Sequence, residues 1–436
     1  MQALLSFEQA PPIAAPFRFF LGAPVFGMVA GLIVLVAGPE LFVSRWTPGI
    51  LALTHALALG FMLQAMLGAL IQILPVVAGA NLWRPLWLAR IVHLPLMLGV
   101  LCLAAAFFGQ IGFLPAMLLL GGSIGVFAIA MFRALFGVPP TSPTIVGLKQ
   151  ALFGLLGVAV VGLLLAGTLG SFWTAPVLEL VDVHVGWGFA AWGLVLLSAV
   201  SYVVVPMFQL TPAYPVWLSR IFGASILVLI LGYSFARTAQ LAGIADLLAL
   251  LLVWLGAAYC GTTLWLQQRS RRARVDTTRK LWRLAMLNGL GAACLWALAH
   301  VLPAVGEWPS WPLLFGALVL QGGFVSVIAG MLYKIVPFLV WLHLQNRGQG
   351  RVMAPNMNMV LSEARMLRHY RAHLAACGLL LAAILLPAVF TYPAGVALVV
   401  ANAWLAANLL AAVGVYRRQA RTIDQKLAES GSGLAA

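Results

Sequence analysis

Apolar residues dominate the chain in runs of about 20, long enough for a helix to cross a bilayer, separated by short segments that collect Pro, Gly and charge. Those breaks predict helices over 18–38, 52–78, 86–108 and 113–136, then 148–170, 184–208, 217–236 and 244–267. A last group covers 281–301, 312–341, 371–391 and 394–416. "SAVSYVVVPMF" (198–208) and "AGMLYKIVPFL" (329–339) share a Tyr four residues before a Pro, and the prolines Pro206 and Pro337 lie 131 residues apart. The same step back from Pro206 reaches Pro75 in "LGALIQILPVV" (67–77), and the first helix of each group repeats at about that interval. The pattern predicts an all-α polytopic membrane protein: twelve transmembrane helices built as three pseudo-threefold four-helix repeats. The repeats span approximately 15–140, 145–270 and 279–418 of one transmembrane domain (1–418), followed by a tail at 419–436.

Composition agrees. The chain is 63% hydrophobic and 8% charged, where a soluble domain carries roughly a quarter charged residues. Residues 1–16 lack the basic start and short apolar core of a cleaved signal peptide, so targeting is expected to rest on the first helix. The net charge of +15 follows topology. With the N-terminus cytoplasmic, every basic residue except Arg45, Arg237 and Lys334 falls on the cytoplasmic side, which places both termini there and the protein in a cell inner membrane as a multi-pass chain. The run "RSRRARVDTTRK" (269–280) then reads as a stop-transfer segment in contact with anionic lipid, not as a nucleic-acid site. "RVMAPNMNMVLSEARMLRHYRAH" (351–373), within and beyond an insertion in the third repeat, suits an amphipathic helix on the inner leaflet. Lys334 is expected to snorkel to the surface, and the Tyr-x-x-x-Pro signature to be architectural. Cys102, Cys260, Cys294 and Cys377 have no paired spacing and read as packing residues.

Seven histidines carry the candidate chemistry. His93, His343, His369 and His373 fall near cytoplasmic helix ends, where headgroups and water are expected to meet them; Arg365, Arg368 and Arg371 beside the His369–His373 pair disfavour a cation there. His55, His184 and His300 lie in the outer third of their helices, where an ionisable group is costly and tends to face a cavity. Neutral imidazole ligates iron and copper, so His55, His184 and His300 are the candidate cofactor ligands, His55 and His184 the leading metal ligands. The 131-residue step carries His55 to Gly186, two residues past His184; two residues turn a helix by about 200°, so the two rings are expected to face different ways unless a bulge intervenes. Met62 and Met66 share a face with His55 and admit a Cu(I) site, although packing is the commoner use of such a stripe. Asp182 reads either as a partner for the second nitrogen of His184 or as a helix N-cap.

"APFRFFLGAPVFG" (15–27) and "LTHALALGFMLQAMLGALIQILPVVAG" (53–79), within a triple four-helix pattern, resemble the NnrS family and, more distantly, subunit I of the haem–copper oxidases. That resemblance implies a haem on the outer side, with copper as a second possibility, and a link to nitric oxide or respiratory metabolism with small-gas and respiratory-chain partners. The oxidase pattern is incomplete: 217–236 and 312–341 contain no histidine, so the two-haem and copper centre of an oxygen reductase is not expected. A membrane transporter, or a cofactor-free scaffold for assembling a respiratory complex, stays open from the residues alone.

Overall fold

The computed structural model describes residues 9–272 and 274–432, and these contain helices and no strand. Eleven helices among them are long and apolar enough to cross a membrane. They are α1 (Ala14–Ala37), α2 (Pro48–Ala78), α3 (Pro85–Phe107), α4 (Leu114–Phe136), α5 (Pro143–Leu169), α6 (Val177–Gln209), α7 (Val216–Thr238), α8 (Ala242–Gln268), α9 (Thr277–Val301) and α10 (Trp311–Arg347). After α11 (Glu363–Leu385), whose first half is too polar to count among the eleven, comes α12 (Pro387–Ser432), the eleventh. The protein is thus a polytopic, all-helical membrane protein. Its starts use ordinary signals. Thr47, Ser142 and Asp276 accept the backbone N–H three residues on, and proline fills the next position after Thr47 and Ser142, where its missing N–H costs nothing.

Several boundaries differ from the pattern in the sequence, those of α11 and α12 most. α11 begins at Glu363 instead of 371, because the Glu363 carboxylate accepts from the N–H and hydroxyl of Thr277 and so docks the polar first turn onto α9. It stops at Leu385 because Pro387, with no N–H to give, opens the next helix. α12 then continues well past 416, since nothing after Arg417 breaks a helix.

The helices close into a ring: α12 packs along α1, α11 along α12, and neighbours in sequence are neighbours in space from α3–α4 round to α9–α10. α2, α6 and α10 meet at the centre, and their most apolar 18-residue stretches are 78%, 56% and 61% buried; α1, packed against α12, is also 61% buried, against 17% for α8. The outer helices present Leu118, Phe132, Phe153, Val228, Phe235 and Trp254 on the apolar surface that contacts the bilayer. Each inner helix also loosens over eight residues into π-helix: Ala56–Leu63, Trp187–Leu194 and Leu318–Val325. These starts are 131 residues apart, and such segments are rare and concentrate at functional sites. At their centre Met62, Gly193 and Phe324, again 131 apart, meet: a Cβ on Gly193 would stand 2.6 Å from the Met62 Cε and 2.7 Å from the Phe324 ring.

Candidate functional site

A cavity of about 800 Å³ opens beside the inner helices, walled by residues of α2 through α11. Its wall is mostly apolar; the polar exceptions include His55, His184, Asp182, Arg45, Tyr233 and Gln321. A large, mainly apolar cavity with a few converging polar groups is the usual form of a cofactor or ligand site.

His55 ends the α-helical part of α2, immediately before its π segment. Its Nδ1 lies 2.8 Å from the Leu51 carbonyl, which can only accept, so Nδ1 carries the proton and Nε2 is left with a free lone pair. Phe107 of α3 packs against the ring at 5.2 Å. His184 sits on α6 with its Nδ1 buried and without a hydrogen-bond partner. Gly162 of α5 makes room for it: a Cβ there would stand 3.0 Å from the His184 Cε1. The two ring centres are 6.2 Å apart and their planes 20° from parallel. The two-residue offset did not separate them, since they project from different helices into the one space between α2 and α6. When two imidazoles ligate one metal from opposite sides, each nitrogen about 2.0 Å from it, their ring centres stand about 6 Å apart. The His55 and His184 ring centres stand at that separation, and Nδ1 of His184 has no hydrogen-bond partner.

Asp182 holds the outer mouth. Its two oxygens take Arg45 (3.4 Å) and Arg237 (2.7 Å), so it neither pairs with His184 nor caps a helix; α6 starts five residues earlier, at Val177, behind Pro176. Arg45 and Arg237 are the two arginines that the charge pattern left off the basic side, and both come to one carboxylate beside the histidine pair. That convergence was missed from sequence, although their exceptional position was the available signal. A second carboxylate, Asp246, acts on the neighbouring Tyr233 as these three charges do, so the mouth gathers two arginines and two carboxylates.

His300 stays apart. It is exposed at the end of α9, its Nδ1–H donates to the Trp296 carbonyl at 2.8 Å, its ring lies on Trp296 at 3.7 Å, and it is not part of the cavity wall. Met62 lines the cavity, but its methyl group fills the space over Gly193, a packing role. His343 bridges the carbonyls of Leu339 and Pro11. His369 and His373, expected among headgroups, are instead buried at 1% and 2% exposure, because the early start of α11 sets them on its second and third turns. Lys334 reaches Asp276, the cap of α9, at 2.7 Å in place of free lipid headgroups. Cys260 and Cys377 are buried, and no cysteine among the described residues is paired.

No group of three or more His, Cys, Asp or Glu side chains is placed to hold a metal among the described residues. Comparison with known protein families and with curated proteins finds no match to the chain.

Proposed function

We propose that the chain is a twelve-span protein of three four-helix repeats, with both termini on the cytoplasmic side of an inner membrane, that holds one haem between His55 and His184. On this reading it belongs with the NnrS-like proteins it resembles and handles nitric oxide or a comparable small gas beside the respiratory chain. The single observation that carries the proposal is the close pair of imidazoles in a large apolar cavity.

Three features support the repeat. The π segments recur at 131 residues, the residues Met62, Gly193 and Phe324 meet in that same register, and α12 closes onto α1. In a threefold ring, equivalent residues point into three different interfaces. A histidine at Gly186, the equivalent of His55, would face the next interface; moving it two residues to 184 turns it by about 200°. The offset thus lets successive repeats supply both faces of one site.

His55 Nε2 and a nitrogen of His184 would hold the iron, and Arg45 and Arg237 would receive the haem carboxylates at the mouth. A haem so held supplies reversible electron transfer, and binding of a small gas where one histidine gives way. The Leu51 carbonyl fixes the tautomer of His55, Gly162 seats His184, and the apolar wall keeps water from the iron. With no histidine in 217–236 or 312–341, this reading is of a single-centre protein rather than a complete oxygen reductase.

The test is the absorption spectrum, oxidised and dithionite-reduced, of detergent-purified protein expressed with full haem supply. A Soret band present in the wild type and lost in His55→Ala and His184→Ala is expected. Protein with no Soret band overturns the haem reading and leaves transport through the same cavity as the next reading to test.

A further inference from the structure

Away from the cavity mouth, buried polar side chains of α10, α11 and α12 form a file through the bundle. At the arginine-rich end, the Asn408 Nδ2 donates to the Tyr333 hydroxyl at 2.9 Å and lies 3.5 Å from the Arg365 carbonyl. The edge of Tyr333 meets His369 at 5.3 Å, and His369 faces His373 at 5.9 Å. His373 Nε2 is 2.8 Å from the Ser326 hydroxyl and 3.6 Å from the Cys377 thiol. Cys377 in turn adjoins Gln321, with its Sγ 3.9 Å from the Gln321 Nε2, and Gln321 lines the cavity. From Arg365 to Cys377 is twelve residues of helix, about 18 Å along the helix axis.

Packing alone does not require such a file. Histidine inside a membrane is expensive, and α11 carries two, one turn apart, where leucine would fill the space. Three polar atoms along it, Asn408 Oδ1, His369 Nδ1 and Gln321 Oε1, are buried without a partner. Unpaired buried polar atoms spaced along a line are the positions that ordered water fills. Each group of the file other than Gln321 and Asn408 can accept a proton at one lone pair while giving one up elsewhere, and imidazole does so between its two nitrogens with no net change.

We propose that α10, α11 and α12 carry a proton path from the arginine-rich end of the bundle to the cavity wall at Gln321, with His369 and His373 as its relays and water bridging the unpaired atoms. A proton enters beside Tyr333 and Asn408, is taken up on one nitrogen of His369 as another leaves the opposite nitrogen, and passes by His373 and Ser326 to Cys377, whose own proton leaves to water bridging Gln321 and the cavity. The path requires no cofactor, so it stands or falls apart from the haem.

The Cys377 thiol reports on it directly, since the S–D stretch of a deuterated thiol absorbs clear of both the other protein groups and the O–D stretch of the solvent. Protein retaining only Cys377 (Cys102→Ala, Cys260→Ala, Cys294→Ala) is moved into D2O and the growth of the S–D band followed by infrared spectroscopy. Exchange is expected in this background, and at least tenfold slower with His369→Phe or His369→Gln added. The second variant keeps polarity and nearly the volume but cannot relay. Loosening of the fold speeds exchange, so slowing is not a sign of misfolding. A thiol that keeps its proton throughout overturns the path; so does exchange equally fast in both variants, which means that protons reach Cys377 from the cavity alone.

Discussion

His184 is seated by the lack of a side chain opposite it. Gly162 allows its ring within contact of α5, where a branched residue would push it back into the cavity. Gly162→Val is therefore expected to lower the haem retained after purification at least threefold, measured as Soret absorbance per protein. Gly125→Ala, on α4 outside the cavity wall, whose new Cβ would meet nothing within 4 Å, leaves it unchanged. At the mouth, Asp182 binds Arg237 more closely than Arg45. Arg237→Ala should then lower the thermal midpoint in detergent more than Arg45→Ala does, both by a few degrees, since part-exposed pairs contribute about 1 kcal/mol or less. These residues were unevenly legible in the sequence. The two histidines stood out because a titratable group in an apolar run needs a reason. Their meeting, and that of Arg45 and Asp182 across 137 residues, depends on helix packing that no local pattern encodes. The burial of His369 and His373 was hidden because the charged residues around them look like a helix end; the Thr277–Glu363 contact that moves that end is 86 residues long in sequence.

At the scale of the element, the inner helices depart from the regular period where they come closest. A π segment adds a residue per turn without changing composition, so a hydrophobic run reads the same with or without one; only the 131-residue step pointed to a shared register. Gly193 is the hinge of that packing. Gly193→Ala drives a methyl into Met62 and Phe324, and overpacking of this kind costs about 1–3 kcal/mol. Met62 ends in a flexible thioether, so Met62→Ala should recover part of the loss, and the two substitutions together should destabilise less than their sum in a thermal-unfolding cycle.

At the scale of the whole molecule, charge and cavity are set at opposite ends. The basic residues gather at one side of the bundle, while the mouth with Arg45, Asp182 and Arg237 opens at the other. Sidedness can be read from cysteines introduced into a Cys294→Ala background. A cysteine at Arg351 should react with an impermeant maleimide only after the cells are opened, and one at Gln110 in intact spheroplasts; the reverse labelling would invert the proposed topology. The order and rough lengths of most helices were legible because a bilayer demands long apolar runs and proline and charge punctuate them, although eleven of the described helices, not twelve, are long and apolar enough to cross a membrane. The ring closure of α12 on α1 and the polar file through α10–α12 were not, since both arise from contacts among distant helices.

The histidine pair is tested most directly by near-infrared magnetic circular dichroism of the oxidised, purified protein, which reports the axial ligands of a low-spin haem. The predicted result is a bis-histidine signature in the wild type that converts to a high-spin, one-histidine spectrum in His184→Ala. A wild-type spectrum without two histidine ligands, or one that His184→Ala leaves unchanged, would contradict a haem held between His55 and His184.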